Sequence, residues 1–154
     1  MKKSIFIVLM ALFVPTTIIL TSQTTTAKVR EVVKISNKES VAKEISTILT
    51  HTLSLNETQT NDVFQLFETY IKNTNAISKY RGRKYLKKIS GFNYNLLQDL
   101  DIVLNTNQYM KFINLNGGSK PSLKTLISRL NGGLLMSPSA KSVLTGLLMN
   151  NYQG

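Results

Sequence analysis

The sequence predicts an all-α protein, either an antiparallel helical hairpin or a small helical bundle with two short C-terminal helices. Apolar residues recur at intervals of three and four along most of the chain from residue 36, which is the spacing of one helix face. Ser, Asn, Pro and Gly stand where these patterns start and stop. No segment shows the sustained alternation of a half-buried strand. We therefore expect helices and no sheet.

The first 27 residues have the order of an export signal. Lys2 and Lys3 precede an unbroken apolar run over residues 5–14, and a Ser/Thr-rich stretch then ends in Ala27. We expect cleavage there, and a protein that is exported to the periplasm or beyond the cell. The alternative is that residues 5–20 are retained as a membrane anchor.

The rest of the chain has the size of one domain. Residues 28–35 mix valine and charge without a period and are expected to be a mobile lead-in, and residues 36–154 form a single all-helical domain. The chain has no cysteine, so packing must stabilise this domain without disulfides. Without Lys2 and Lys3, 17 basic residues stand against 8 acidic ones, a balance of +9. That charge favours anionic partners, among which nucleic acid ranks last for an exported protein.

Two helices are predicted in the first half of the domain. Ser36 and Glu39 have the spacing of a capping box, so the first helix should begin at Ser36 and end near His51. The second should be long and run over residues 56–80. Its apolar face consists of Val63, Phe64, Phe67, Tyr70, Ile71 and Ile77.

The second half continues the helical pattern. A third helix is predicted over residues 83–103, with a kink or short break at Gly91. A shorter helix follows Asn105 and should stop at the Asn-Gly-Gly sequence of residues 116–118. The two last helices are marked by Leu123, Leu126, Ile127 and Leu130 and, after an N-cap and proline at Ser137 and Pro138, by Val143, Leu144, Leu147 and Leu148.

A short phrase occurs twice, each time at a helix start. Leu-Asn-Glu-Thr-Gln over residues 55–59 is echoed by Leu-Asn-Thr-Asn-Gln over residues 104–108. In each copy the Asn side chain can accept a hydrogen bond from the first turn, the Gln can reach back to the Asn amide, and the preceding Leu can pack onto the helix. The predicted structural caps are Leu55, Asn56, Gln59, Leu104, Asn105 and Gln108.

The paired phrases resemble the LTxxQ-motif family of bacterial periplasmic proteins, which includes the Spy and CpxP stress chaperones. The resemblance covers about residues 53–115, and Asn56 and Asn105 stand where the family has Thr. It implies an antiparallel helical hairpin, often dimeric, whose concave basic and apolar surface holds unfolded or stressed envelope proteins without ATP. The motif residues would then be structural.

A basic segment over residues 79–88 is the strongest candidate for binding. No acidic residue lies between Glu68 and Asp99, so the segment should attract an anionic partner. The alternative is a solvated turn between two helices, in which Tyr80 and Tyr85 only pack. The predicted partner-binding residues are Lys79, Arg81, Arg83, Lys84, Tyr85, Lys87 and Lys88.

Residues for catalysis are scarce. His51 is the only histidine and there is no cysteine, which excludes Cys-His catalysis. Asp99 and Asp101 point to different faces of a helix, and residues 117–120 (Gly-Gly-Ser-Lys) lack the spacing of a phosphate loop. We expect no enzyme, no metal site and no cofactor.

These observations favour an exported, basic protein that binds unfolded or acidic envelope proteins in a chaperone-like, ATP-independent way. The basic segment would steer the client, and apolar residues such as Phe64, Phe67, Tyr85 and Phe92 would bury its apolar groups. A homodimer is one possible assembly. The alternative is a membrane-surface protein, held by an uncleaved anchor and the basic segment on anionic lipid.

Overall fold

A computed structural model describes residues 34–149 of the chain. The predicted signal over residues 1–27 and residues 28–33 of the lead-in lie outside the described residues. The described part is helical and contains no strand, which confirms the all-α prediction, and it forms a bundle. Its helices are α1 Lys38–Leu53, α2 Glu57–Ile77, α3 Gly82–Val103, α4 Thr106–Ile113, α5 Leu123–Arg129 and α6 Pro138–Met149, with a 3₁₀ turn at Gly133–Leu135.

The N-cap of helix α1 lies one residue later than predicted. Asn37, and not Ser36, is the N-cap, and its side chain accepts a hydrogen bond from the Ser40 amide at 3.3 Å. Just before it, the backbone N–H and C=O of Ile35 both bond to the side chain of Asn75, at 3.0 and 2.8 Å. Ile35, the last residue of the predicted lead-in, is thus fixed against α2. Asn caps a helix as well as Ser does, so Asn37 takes the role.

Helices α2 and α3 form the predicted hairpin with different details. Helix α2 ends at Ile77 and not near Tyr80, because a turn follows in which the Tyr80 amide bonds to the Ile77 carbonyl. Helix α3 runs without interruption through Gly91, so the predicted break there is wrong. Phe92 and Leu96 pack into the core just beyond this glycine. Such packing outweighs the roughly 1 kcal/mol that a mid-helix glycine costs.

The C-terminal helix closes the bundle. Leu144 and Leu147 of α6 are fully buried in the same core as Ile45 of α1. The Glu44 carboxylate accepts hydrogen bonds from both the amide and the hydroxyl of Ser137, each at 2.6 Å, which ties the start of α6 to α1. The α2–α3 hairpin is therefore covered, and it does not have the open concave face that the family resemblance implies.

Candidate functional site

The basic segment lies at the end of α2, in the following turn and in the first two turns of α3. All six of its cations are exposed. Arg83, Lys84, Lys87 and Lys88 stand near the N-terminus of α3, whose first turn carries no acidic residue. The helix dipole is positive at this end and acts within the first turn, so the charges of Arg83 and Lys84 disfavour the helix. The result is a strongly positive end of the bundle.

The cations gather around one aromatic ring. The ammonium nitrogens of Lys84, Lys88 and Lys79 lie 4.6, 5.3 and 5.5 Å from the centre of the Tyr80 ring, within cation–π range. The Arg81 guanidinium donates to the carbonyl oxygens of Ser78 and Tyr80. The electron-rich ring face therefore holds three like charges together. Tyr80 was not among the predicted partner-binding residues, since packing was favoured for its ring, although its place among lysines was a signal for this role.

Tyr85 differs from the other predicted partner-binding residues. Its ring is half-buried, and burial raises the pKa of its hydroxyl. Its hydroxyl is also close enough to that of Tyr70 to contribute to a raised pKa there. Tyr85 therefore belongs partly to the interior between α2 and α3, whereas the cations around it face solvent.

A shallow hollow of about 460 Å³ lies on α3 beside the basic segment. Gly91 is one of its lining residues, and an added Cβ atom there would meet no atom within 4 Å. Phe92 is half-buried, packing against the core and also lining the hollow. The lining residues are Lys84, Lys87, Lys88, Gly91, Phe92 and Asn95.

The exposed apolar side chains are not those chosen from the sequence. Phe67 is 0% exposed, so it cannot contact a partner on the folded surface, and Phe64 is half-buried. On α3, Leu86 and Tyr94 are instead 62% and 61% exposed. Leu86 was counted from the sequence in the apolar pattern of the third helix and Tyr94 was not, so neither was named as an exposed client contact. A second exposed group, formed by the 3₁₀ turn and α5, contains Leu123, Leu134 and Leu135.

Both repeated phrases form reciprocal capping boxes. The side-chain oxygen of Asn56 accepts from the Gln59 amide at 2.8 Å, and Gln59 accepts from the Asn56 amide at 3.2 Å. The corresponding distances for Asn105 and Gln108 are 2.9 and 3.0 Å. Leu55 and Leu104, which precede the two Asn residues, are buried.

The two phrases also bind each other. Gln59 Nε2 donates to Gln108 Oε1 at 2.8 Å, and Gln108 Nε2 contacts Gln59 Oε1 at 3.2 Å. Gln59 Nε2 also donates to the Val103 carbonyl at 3.0 Å, while Gln108 Nε2 contacts the Ser54 carbonyl at 3.3 Å. Ser54 and Val103 are 49 positions apart, as are Gln59 and Gln108. The two glutamine-to-carbonyl contacts are therefore equivalent and reciprocal. These glutamines are structural, and they join the starts of α2 and α4.

The remaining polar candidates are scattered. His51 is exposed in the last turn of α1, and Asp99 and Asp101 are exposed on α3. Within residues 34–149, no group of three or more His, Asp or Glu side chains is placed to hold a metal ion. No helix in this described range is both long and apolar enough to cross a membrane.

Comparisons with protein-family models, with curated proteins and with solved structures found no match. Function must therefore be inferred from the chemistry and geometry of the surface itself.

Proposed function

We propose that the protein is exported and binds unfolded or stressed envelope proteins without ATP, through the basic segment and the adjoining surface of α3. One observation carries the proposal: six exposed cations are gathered at one end of the bundle. Two of them, Arg83 and Lys84, stand in the first turn of α3, where the helix dipole disfavours them. Charges placed at a cost to the fold are expected where they serve binding.

The physical mechanism has two stages. The positive end attracts acidic segments of a client over about one Debye length, roughly 8 Å at physiological salt. Apolar client groups then leave water against the exposed side chains of Leu86 and Tyr94, which lie on the same helix as the cations. Because the bundle is closed, the client binds on the outer surface of α3, and no concave hairpin face is needed.

The proposal includes kinship with the LTxxQ-motif family. Its support is that the two Leu-Asn-x-x-Gln phrases perform the same capping role and that their glutamines, Gln59 and Gln108, bond to each other. Two unrelated helix starts could each be capped, but their glutamines would have no reason to bond to each other. In this proposal the phrases hold the bundle together, and the residues between them bind the client.

Charge reversal in the basic segment tests the function. The variant Lys84→Glu, Lys87→Glu, Lys88→Glu should need about tenfold more protein for half-maximal suppression of aggregation of an acidic unfolded client, since loss of about 1.4 kcal/mol in binding is a factor of ten. The assay is light scattering at low and high salt. Protection by the wild type should weaken as salt screens the charges.

A control variant with the same net charge tests whether the position of the reversed lysines matters. Lys43, Lys120 and Lys124 are exposed outside the basic segment, and reversing all three changes the net charge by the same amount. This control should protect as the wild type does. Equal protection by all three proteins would refute steering by the basic segment. Binding of the wild type to anionic vesicles without client protection would favour the second candidate, a membrane-surface protein.

A further inference from the structure

Gly91 has no role in the fold that requires glycine. It lies within the 22-residue helix α3, where glycine is less favourable than almost any other residue. By contrast, Gly117 has a φ of +107° and Gly133 would place a Cβ 2.5 Å from the Ile127 carbonyl oxygen. Those two positions need glycine for the fold. At Gly91 the space for a side chain is open.

The open space has a definite chemical lining. Lys84, Lys87 and Lys88 line the hollow together with the ring of Phe92 and the side chain of Asn95, and the ammonium groups of Lys84 and Lys88 lie near the Tyr80 ring. No acidic residue lies between Glu68 and Asp99 in the sequence to offset these cations. The hollow therefore complements a group that is anionic and has an apolar part.

The hollow lies on a single helix. All of its lining residues lie on α3, so the hollow of about 460 Å³ is open and contacts an occupant from one side. An aromatic side chain with its flanking peptide fits this scale. Because Gly91 has no side chain, such a ring can lie directly on the backbone of α3.

We propose that the hollow at Gly91 is the seat for an aromatic side chain flanked by acidic residues within an unfolded client polypeptide. The client carboxylates pair with Lys84, Lys87 and Lys88, and the ring lies over Gly91 against Phe92. This inference rests on the proposed function and names the client segment that it recognises.

Filling the hollow provides the test. A short unlabelled peptide that carries one phenylalanine between two pairs of aspartates is titrated into the full chain, and binding is measured by isothermal titration calorimetry. Gly91→Leu should weaken binding about tenfold, because the added side chain occupies the space of the ring. Ser90→Leu adds the same side chain at a neighbouring exposed position that does not line the hollow. It should change binding by less than about twofold.

Companion measurements separate the explanations. A peptide with alanine in place of phenylalanine should bind the wild type about tenfold more weakly and should not distinguish Gly91→Leu from the wild type. Thermal unfolding should show that Gly91→Leu is at least as stable as the wild type, because its Cβ meets no atom and leucine favours helices.

Two results would overturn the inference. One is equal affinity of Gly91→Leu and the wild type for the phenylalanine peptide, which would leave the charge-reversal test of the proposed function unaffected. The other is Gly91-dependent binding of anionic lipid vesicles without binding of the peptide, which would make the hollow a lipid site. If the charge-reversal variant loses client protection while Gly91→Leu binds the phenylalanine peptide as the wild type does, the proposed function is supported and the seat at Gly91 is refuted.

Discussion

A buried chain of polar groups links three helices through single residues. The Tyr70 hydroxyl of α2 donates to Asn93 Oδ1 of α3 at 2.7 Å, and Asn93 Nδ2 donates to the Gly146 carbonyl of α6 at 3.4 Å. Burial, with a smaller effect of Tyr85, raises the pKa of the Tyr70 hydroxyl far above its ordinary value. Buried polar groups are costly when unpaired, so this chain favours one alignment of the helices.

Tyr70→Phe should change how stability depends on pH. Above pH about 10 the phenol ionises in the unfolded chain and stays protonated in the folded one, so the free energy of unfolding of the wild type falls by up to about 1.4 kcal/mol per pH unit from this group. The variant lacks this contribution. At pH 8 it should be less stable by about 1–2 kcal/mol, because the buried hydrogen bond from the Tyr70 hydroxyl to Asn93 Oδ1 is lost.

The measurement is urea unfolding of both proteins between pH 8 and pH 11. Lysine titration affects both alike, so the difference between the two free energies isolates Tyr70. That difference should shrink as the pH rises above about 10. A difference that stays constant over the whole range would show that Tyr70 does not keep its proton in the folded protein.

Between elements, the Gln59–Gln108 pair joins two helix starts that are far apart in the chain. Each glutamine completes the cap of its own helix and bonds to the other glutamine. Each also bonds to a backbone carbonyl in the turn before the other helix, at Val103 or Ser54. The turn between α1 and α2 is thereby fastened to the turn between α3 and α4.

A double-mutant cycle should detect this coupling. Gln59→Ala and Gln108→Ala should each reduce the free energy of unfolding by about 1–2 kcal/mol, and the double variant should lose about 0.5–1.5 kcal/mol less than their sum. Asn56→Ala and Asn105→Ala remove the caps without the link between the phrases, so they should cost about 1 kcal/mol each and be additive within about 0.5 kcal/mol. Additive glutamine losses in chemical denaturation would contradict the link.

At the scale of the whole molecule, α6 packs into one core with α1 and the α2–α3 hairpin and so closes the bundle. Its buried leucines belong to the core, and Asn116, itself fully buried, donates to the Leu148 carbonyl at 2.7 Å. The Glu44 carboxylate holds the other end of the helix at Ser137. The tail therefore stabilises the domain, and it leaves the basic end and the outer face of α3 accessible to partners.

Leu147→Ala should show how firmly the tail is packed. Leu147 is 0% exposed, so its truncation should cost about 2–5 kcal/mol of unfolding free energy. Leu135→Ala is the matched control, because this leucine is 92% exposed and should change stability by no more than about 0.5 kcal/mol. The measurement is thermal or chemical unfolding followed by circular dichroism. Similar small losses for both variants would mean that α6 is not part of the core.

Local signals predicted the helices well and their exact ends less well. Asn56 and Asn105 cap α2 and α4, because capping involves residues only three positions apart. Ser36 was a wrong choice because the neighbouring Asn37 caps equally well. Gly91 does not break α3, because packing against the core stabilises the helix by more than one glycine destabilises it.

The sequence by itself determined the all-α class, the two capped helix starts and the location of the basic segment, because each depends on neighbouring residues. Only the tertiary structure decided that Phe67 is buried, that Gln59 meets Gln108, that α6 closes the bundle and that the space over Gly91 is open. The physical reason is that these features depend on contacts between residues far apart in the chain. Periodicity indicates which face of a helix is apolar, but not which other helix covers it.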